Sequence, residues 1–167
     1  MTRPPLRAVD PTLDLVLERV VDVPPALVWK AWTTPEILTR WFTPAPWSTA
    51  ECQIDLTPGG LFRTVMRSPE GELFPNAGCF LEIVPNERLI WTTLMGAGFR
   101  PAVGAVPDNN ALAFTAVIAM AAEGAGTRYT AHVMHADPET CRRHGEMGFA
   151  DGWGAALDQL VAVARTL

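Results

Sequence analysis

The spacing of apolar and polar residues changes character twice along the chain. Residues 1–11 are Pro-rich and polar and predict a flexible tail, followed by one domain over 12–167. Leu13 to Val21 (LDLVLERVV) is β-branched and apolar and predicts a strand. Val23-Pro24-Pro25 breaks it. Pro25 suits the first turn of a helix over Ala26 to Trp32, in which Val28 and Trp32 lie four apart on one face. Thr34-Pro35-Glu36 predicts a second helix with Thr34 as N-cap and Pro35 at the first helical position, ending near Phe42 before Pro44 and Pro46.

From Thr49 onward the period is that of strands. The segments Thr49 to Leu56, Leu61 to Arg67, Ala77 to Val84, Arg88 to Met95, Ala111 to Ala121 and Thr127 to Ala136 predict six strands in series. Clusters such as Pro58-Gly59-Gly60, Ser68-Pro69-Glu70-Gly71 and Glu123-Gly124-Ala125-Gly126 separate them as turns. The links are hairpin-short, which implies an antiparallel sheet. One link is long: Gly96 to Asn110 is expected to be a 15-residue irregular loop, a mobile rim whose Phe99 dips into an opening.

The end of the chain is helical. Asp137-Pro138-Glu139 reads as a cap, a proline at the first position and an acid favoured by the helix dipole. Phe149, Trp153, Leu157, Leu160, Ala164 and Leu167 form one apolar stripe, with Asp151, Asp158 and Arg165 on a polar stripe beside it. Gly145 and Gly148 predict a bend or fraying in the first turns. The predicted class is α+β, in the order β-α-α-β6-α, with the last helix covering one face of the sheet.

Composition narrows the function. Apolar residues make up 49% and charged residues 19%, which excludes general disorder. The net charge is −5 and no stretch is densely basic, so nucleic acid is not an expected partner. The longest uncharged stretch, Asn109 to Ala122, has 14 residues, short of the roughly 17–25 that a spanning helix needs. Met1 to Asp10 has no apolar run and predicts no signal peptide. Cys52, Cys79 and Cys141 are odd in number and far apart, which predicts reduced thiols and a cytoplasmic location and leaves a single disulfide open. A homodimer is left open as well.

Several local motifs, in order, carry a resemblance. They are Val23-Pro24 with Val28-Trp29 and Ala31-Trp32-Thr33, then Pro35-Glu36 with Arg40-Trp41-Phe42. Asp55 with Pro58-Gly59-Gly60 and Phe62 follows, then Gly78 with Glu82-Ile83-Val84-Pro85 and Glu87-Arg88-Leu89. Gly126-Thr127-Arg128 with Thr130, and Gly152-Trp153 with Leu157 and Leu160, complete the series. This pattern, over residues 13 to 165, resembles the START-like (SRPBCC) superfamily. Within it the chain is most similar to the family called activator of heat-shock protein 90 ATPase, C-terminal-like. The resemblance implies a helix-grip fold: a curved antiparallel sheet wrapped around a long C-terminal helix, with an apolar cavity between them.

Aromatic residues are the main candidates for such a cavity. Six tryptophans accompany one tyrosine. Trp41, Phe62, Phe80, Trp91, Phe99, Phe114, Phe149, Trp153 and Leu157 are the expected ligand-contacting residues, set against the alternative of a plain packed core. His135 shares a strand face with Tyr129, Ala131 and Val133 and reads either as a proton-transfer group or as a hydrogen-bonded histidine at a strand end. His132, at odd spacing from it, is expected on the opposite face. Glu82 reads either as a buried acid or as the partner of Arg63 or Arg88. Arg63 and Arg67 share a face and read either as a carboxylate clamp or as the wet side of the sheet. Cys79 reads as a small core residue. No ligand cluster of metal-binding spacing, no GxSxG and no phosphate loop is present, so no metal and no cofactor is expected.

Three functions fit these features. The first is binding of a hydrophobic or aromatic small molecule. The second is a cyclase or dehydratase on the same cavity, with His135 or Glu82 as acid or base. The third is a stress-related interaction protein related to chaperone ATPase activators.

Overall fold

The computed structural model describes residues 7–102 and 112–167. In chain order the elements are β1 (Asp14–Val21), α1 (Pro25–Thr33), α2 (Pro35–Leu38), β2 (Ser48–Ile54), β3 (Leu61–Arg67), β4 (Leu73–Val84), β5 (Arg88–Thr92) and β6 (Met95–Gly96). A 3₁₀ turn (Ala97–Phe99) leads to β7 (Arg100–Pro101), then β8 (Thr115–Glu123), β9 (Gly126–Met134), α3 (Pro138–Glu146) and α4 (Phe149–Ala164). Seven strands form one sheet in the order β1-β9-β8-β5-β4-β3-β2, every neighbouring pair antiparallel. After β1 the chain crosses through α1 and α2 to the far edge, then runs back strand by strand until β9 closes beside β1. This antiparallel sheet with a C-terminal helix is consistent with a helix-grip fold.

The elements differ from the sequence reading where local propensity and tertiary pairing disagree. Regular α2 stops at Leu38, and the chain turns on to Phe42 through bonds such as Trp41 N–H to Leu38 O. The Thr34 side chain makes no cap; its carbonyl accepts from Ile37 and Leu38 instead. β4 begins four residues before the predicted start, with Pro75 inside it. β5 pairs with β4 only from Cys79 on, so among the described residues no strand pairs with one side of β4 around Pro75, where a missing N–H costs no ladder bond. The expected loop at Gly96 starts instead with the small β6–β7 ribbon. The rest of that expected loop, residues 103–111, lies outside the described residues, as do residues 1–6 of the predicted tail. Further along the tail, Asp10 accepts hydrogen bonds from the Thr12 N–H and hydroxyl.

The predicted bend in the last helix is a break. Gly148 has φ +95, in the left-handed region that side chains rarely adopt, and separates α3 from α4. Asp137 caps α3 through its side chain, which accepts from Thr140 N–H at 2.7 Å. These bonds hold the Asp137 carboxyl below its usual range.

α4 packs on α1 and β1. Leu157, Leu160 and Ala164 are buried, whereas Leu167, the last residue of the expected stripe, is exposed. Polar bonds fix the helix. Gln159 Nε2 donates to Trp41 O and Thr43 O, and its Oε1 accepts from Ala45 N–H, so the chain after α2 is held along α4. Arg19 on β1 pairs with Asp158 on α4, and Arg165 at the end of α4 pairs with Asp22 just after β1. Among the described residues no helix is long and apolar enough to cross a membrane. All three cysteines are free, and burial pushes the Cys52 thiol up to about 11, with Glu36 adding to the shift.

Candidate functional site

Alternation along the strands turns a set of side chains toward the C-terminal helix. In β3 the residues two apart, Phe62, Thr64 and Met66, face the same way. Trp91 comes from β5, Tyr129 from β9, and Phe114 lies just before β8. From the opposite side, Phe149, Gly152, Trp153, Ala156 and Leu157 stand at helical spacing on α4. The α1–α2 corner adds Trp32, Trp41 and Phe42. Between them lies a cavity of about 380 Å³.

Its wall is a chain of ring contacts. Trp32 meets Trp41 at 4.9 Å, Phe42 meets Phe62 at 5.8 Å, and Phe62 meets Trp91 at 5.0 Å. Trp91 then meets Phe114 at 5.3 Å, and Phe114 meets Trp153 at 6.0 Å. Most of these contacts are edge-on, the arrangement aromatic quadrupoles favour. Among the described residues no charged side chain lines the cavity.

Besides Thr64, Asn76 and Thr93, the polar groups on the wall are ring atoms of Trp and His and the Tyr129 hydroxyl. Trp41 Nε1 donates to Ala31 O at 3.1 Å. Trp32 Nε1 donates to the Tyr129 hydroxyl at 3.2 Å. Burial raises the Tyr129 pKa, and the bond from Trp32 offsets part of that rise. Trp91 Nε1 is sealed from solvent without a hydrogen-bond partner among the described residues. His144, on α3, stands between the rings of Phe114 and Phe149 at 5.5 and 5.3 Å. Its burial, with His135 as the smaller cause, lowers its pKa from 6.5 to about 4, so it is neutral at physiological pH.

Seven of the nine expected contact residues are on this wall: Trp41, Phe62, Trp91, Phe114, Phe149, Trp153 and Leu157. Phe80 is not. It is fully buried and stacks on Phe62 at 5.1 Å, as part of the packed core. Phe99 is not either. Its ring lies over Gly59, where a Cβ would strike it, and remains 48% exposed. The ribbon β6–β7 directs it there, with Gly98 N–H bonded to Gly59 O at 2.7 Å.

The two acid–base candidates, Glu82 and His135, lie off the wall as well. Glu82 accepts from Arg88 Nη2 at 2.6 Å and from Arg88 Nε at 3.1 Å. His135 sits just past the end of β9, where its Nδ1–H bonds to Leu13 O at 2.8 Å. Arg63 is paired with Glu51 and so is not placed as a ligand clamp. His132 faces Asp14 at 2.8 Å. Among the described residues no group of three or more His, Cys, Asp or Glu is placed to hold a metal ion.

The sequence reading passed over His144, Tyr129, Trp32 and Phe42 as wall residues. Phe42 and Trp32 carried a signal, since both flank the predicted helical corner. His144 carried none, because the break at Gly148 removes the helical phase that would relate it to Phe149.

Comparison with known proteins places this geometry in a family. A crystal structure of a protein from Nitrosomonas europaea is 47% identical, covers 95% of this chain and 97% of its own, and superposes with a TM-score of 0.88. A protein from Rhodobacter sphaeroides shares the fold at 22% identity, with coverage of 96% and 97% and a TM-score of 0.78. One from Arthrobacter aurescens, solved by NMR, does so at 24% identity, with coverage of 93% and 88% and a TM-score of 0.77. No curated protein matches the chain. The family model described as "Activator of Hsp90 ATPase homolog 1-like protein" matches residues 22–165. The chain therefore belongs to that family, within the START-like (SRPBCC) superfamily.

Proposed function

We propose that this protein binds a hydrophobic or aromatic small molecule in the cavity between the sheet and α4. One observation carries the reading: a space of about 380 Å³ walled by eight aromatic side chains of Trp and Phe, Trp32, Trp41, Phe42, Phe62, Trp91, Phe114, Phe149 and Trp153. Small-molecule sites are typically roughly 300–1,000 Å³, mostly apolar, with few polar groups. The contact surface in this reading is Trp41, Phe62, Trp91, Phe114, Phe149, Trp153 and Leu157. The three unpaired thiols fit a reducing compartment, and we assign the protein to the cytoplasm on that basis.

Native mass spectrometry of freshly purified, detergent-free protein tests the reading. The expected result is a population carrying one adduct of small-molecule mass, which mild collisional activation releases as a neutral. Bare protein throughout, together with no shift in melting temperature for any of a panel of apolar compounds, would overturn it.

A further inference from the structure

With both rings neutral, the histidine pair beside the cavity has one sense. Leu13 O can only accept, so His135 donates to it through Nδ1–H. A neutral imidazole has one N–H, which leaves His135 Nε2 as an acceptor. Its partner at 2.9 Å is His144 Nδ1, which must therefore donate. With both rings neutral, His144 Nε2 is left with a bare lone pair.

That lone pair belongs to a residue of the cavity wall and is not sealed off. His144 lines the wall, flanked by Phe114, Phe149 and Trp153. Its Nε2 has no partner among the described residues, yet it is not one of the sealed, unpaired side-chain atoms, which are Trp91 Nε1 and Arg143 Nε. A second polar point has the opposite sense. The Tyr129 hydroxyl accepts from Trp32 Nε1, and its own proton has no acceptor among the described residues.

We propose that His144 Nε2 is the recognition point of the cavity, accepting a hydrogen bond from the hydroxyl of an otherwise apolar, uncharged ligand. This deepens the reading above and rests on it. The ligand is uncharged because no charged side chain among the described residues lines the wall, and a carboxylate there would lack a counter-ion from them. It carries a donor because His144 stays an unprotonated acceptor: burial and the neighbouring His135 disfavour its cation. The same shift makes His144 a poor proton-abstracting base, so its role is to bind and orient.

Three probes of one shape separate these statements by calorimetry at pH 8: 2-naphthol, 2-methoxynaphthalene and 2-naphthoate. The ether keeps the ring and the oxygen but has no donor. The expected result is 2-naphthol binding about three- to tenfold tighter than the ether, the range of one neutral hydrogen bond, with 2-naphthoate weakest. His144→Phe should remove the preference for the naphthol while still binding the ether. In the wild-type protein, ¹⁵N NMR should show His144 Nε2 as an unprotonated ring nitrogen whose resonance moves on adding 2-naphthol and not on adding the ether. Equal binding of naphthol and ether would overturn this inference and leave cavity binding intact, as would tightest binding of 2-naphthoate. A protonated Nε2 at pH 8 would overturn it without any variant. No heat and no thermal shift with any probe would overturn both readings.

Discussion

The two ends of α4 use one apolar stripe for different purposes. Toward its C-terminus, Leu160 and Ala164 have no exposed surface, and the helix packs on α1 and β1 as solid core. Toward its N-terminus, Phe149 and Trp153 face the sheet across a cavity, with Trp153 only half-buried. The stripe has the same helical spacing throughout. The difference lies in what stands opposite. At the C-terminal end, α1 and the polar ties of Gln159, Arg19 and Arg165 draw the helix onto its neighbours. At the N-terminal end the break at Gly148 separates α4 from α3, and large rings stand on the wall around the space. Aromatic spacing alone therefore does not separate core from cavity; the path of the adjoining chain does.

Substitution at the two ends should break the comparison most sharply. Leu160→Ala should cost about 2–5 kcal/mol in urea unfolding, since it empties a fully buried site. Trp153→Ala should cost clearly less than Leu160→Ala despite the larger side chain, because its ring borders space already open, and should reduce ligand binding instead. Equal losses would show the N-terminal end to be solid core.

Acidification should act through the cavity end. His144 has a folded pKa of about 4 against 6.5 when unfolded, so the unfolded chain binds the extra proton first. Its contribution is complete above about pH 6.5 and is lost as pH falls toward 4, by about 2 kcal/mol at pH 5. The difference in stability between wild type and His144→Phe should therefore shift in the variant's favour by about that amount from pH 7 to pH 5. A difference that does not change with pH would place His144 in contact with water. At the packed end, Gln159→Ala leaves two carbonyls and one N–H without their partner and should cost about 1–2 kcal/mol with little change in ligand affinity.

Much of the fold was legible because sheet and helix periods are local properties. β3 was readable end to end from Leu61-Phe62-Arg63-Thr64-Val65-Met66-Arg67, and the cap at Asp137 from three residues. The start of β4 was not, because Leu73-Phe74-Pro75-Asn76 pairs only through its register with β3. The aromatic wall was legible as residue types but not as positions. Phe80 and Phe62 lie in neighbouring strands with similar alternation, and only packing decides that Phe62 lines the cavity while Phe80 lies in the core. Phe99 went to Gly59 through a ribbon of two residues per strand, too short to carry a period. His144 depended on a hydrogen bond to His135, nine residues away across a loop and a helix.

The most direct test is a tryptophan-fluorescence titration of the wild-type protein with an uncharged apolar aromatic, run beside Trp153→Phe. Trp32, Trp41, Trp91 and Trp153 line the cavity, so saturable one-to-one binding should quench or shift the emission. At a ligand concentration 100 times Kd, the same compound should raise stability by about 2.7 kcal/mol, and Trp153→Phe should keep the fold while losing much of the signal change. Emission and melting temperature that stay constant through saturation of the solution with several such compounds would contradict a binding cavity between α4 and the sheet.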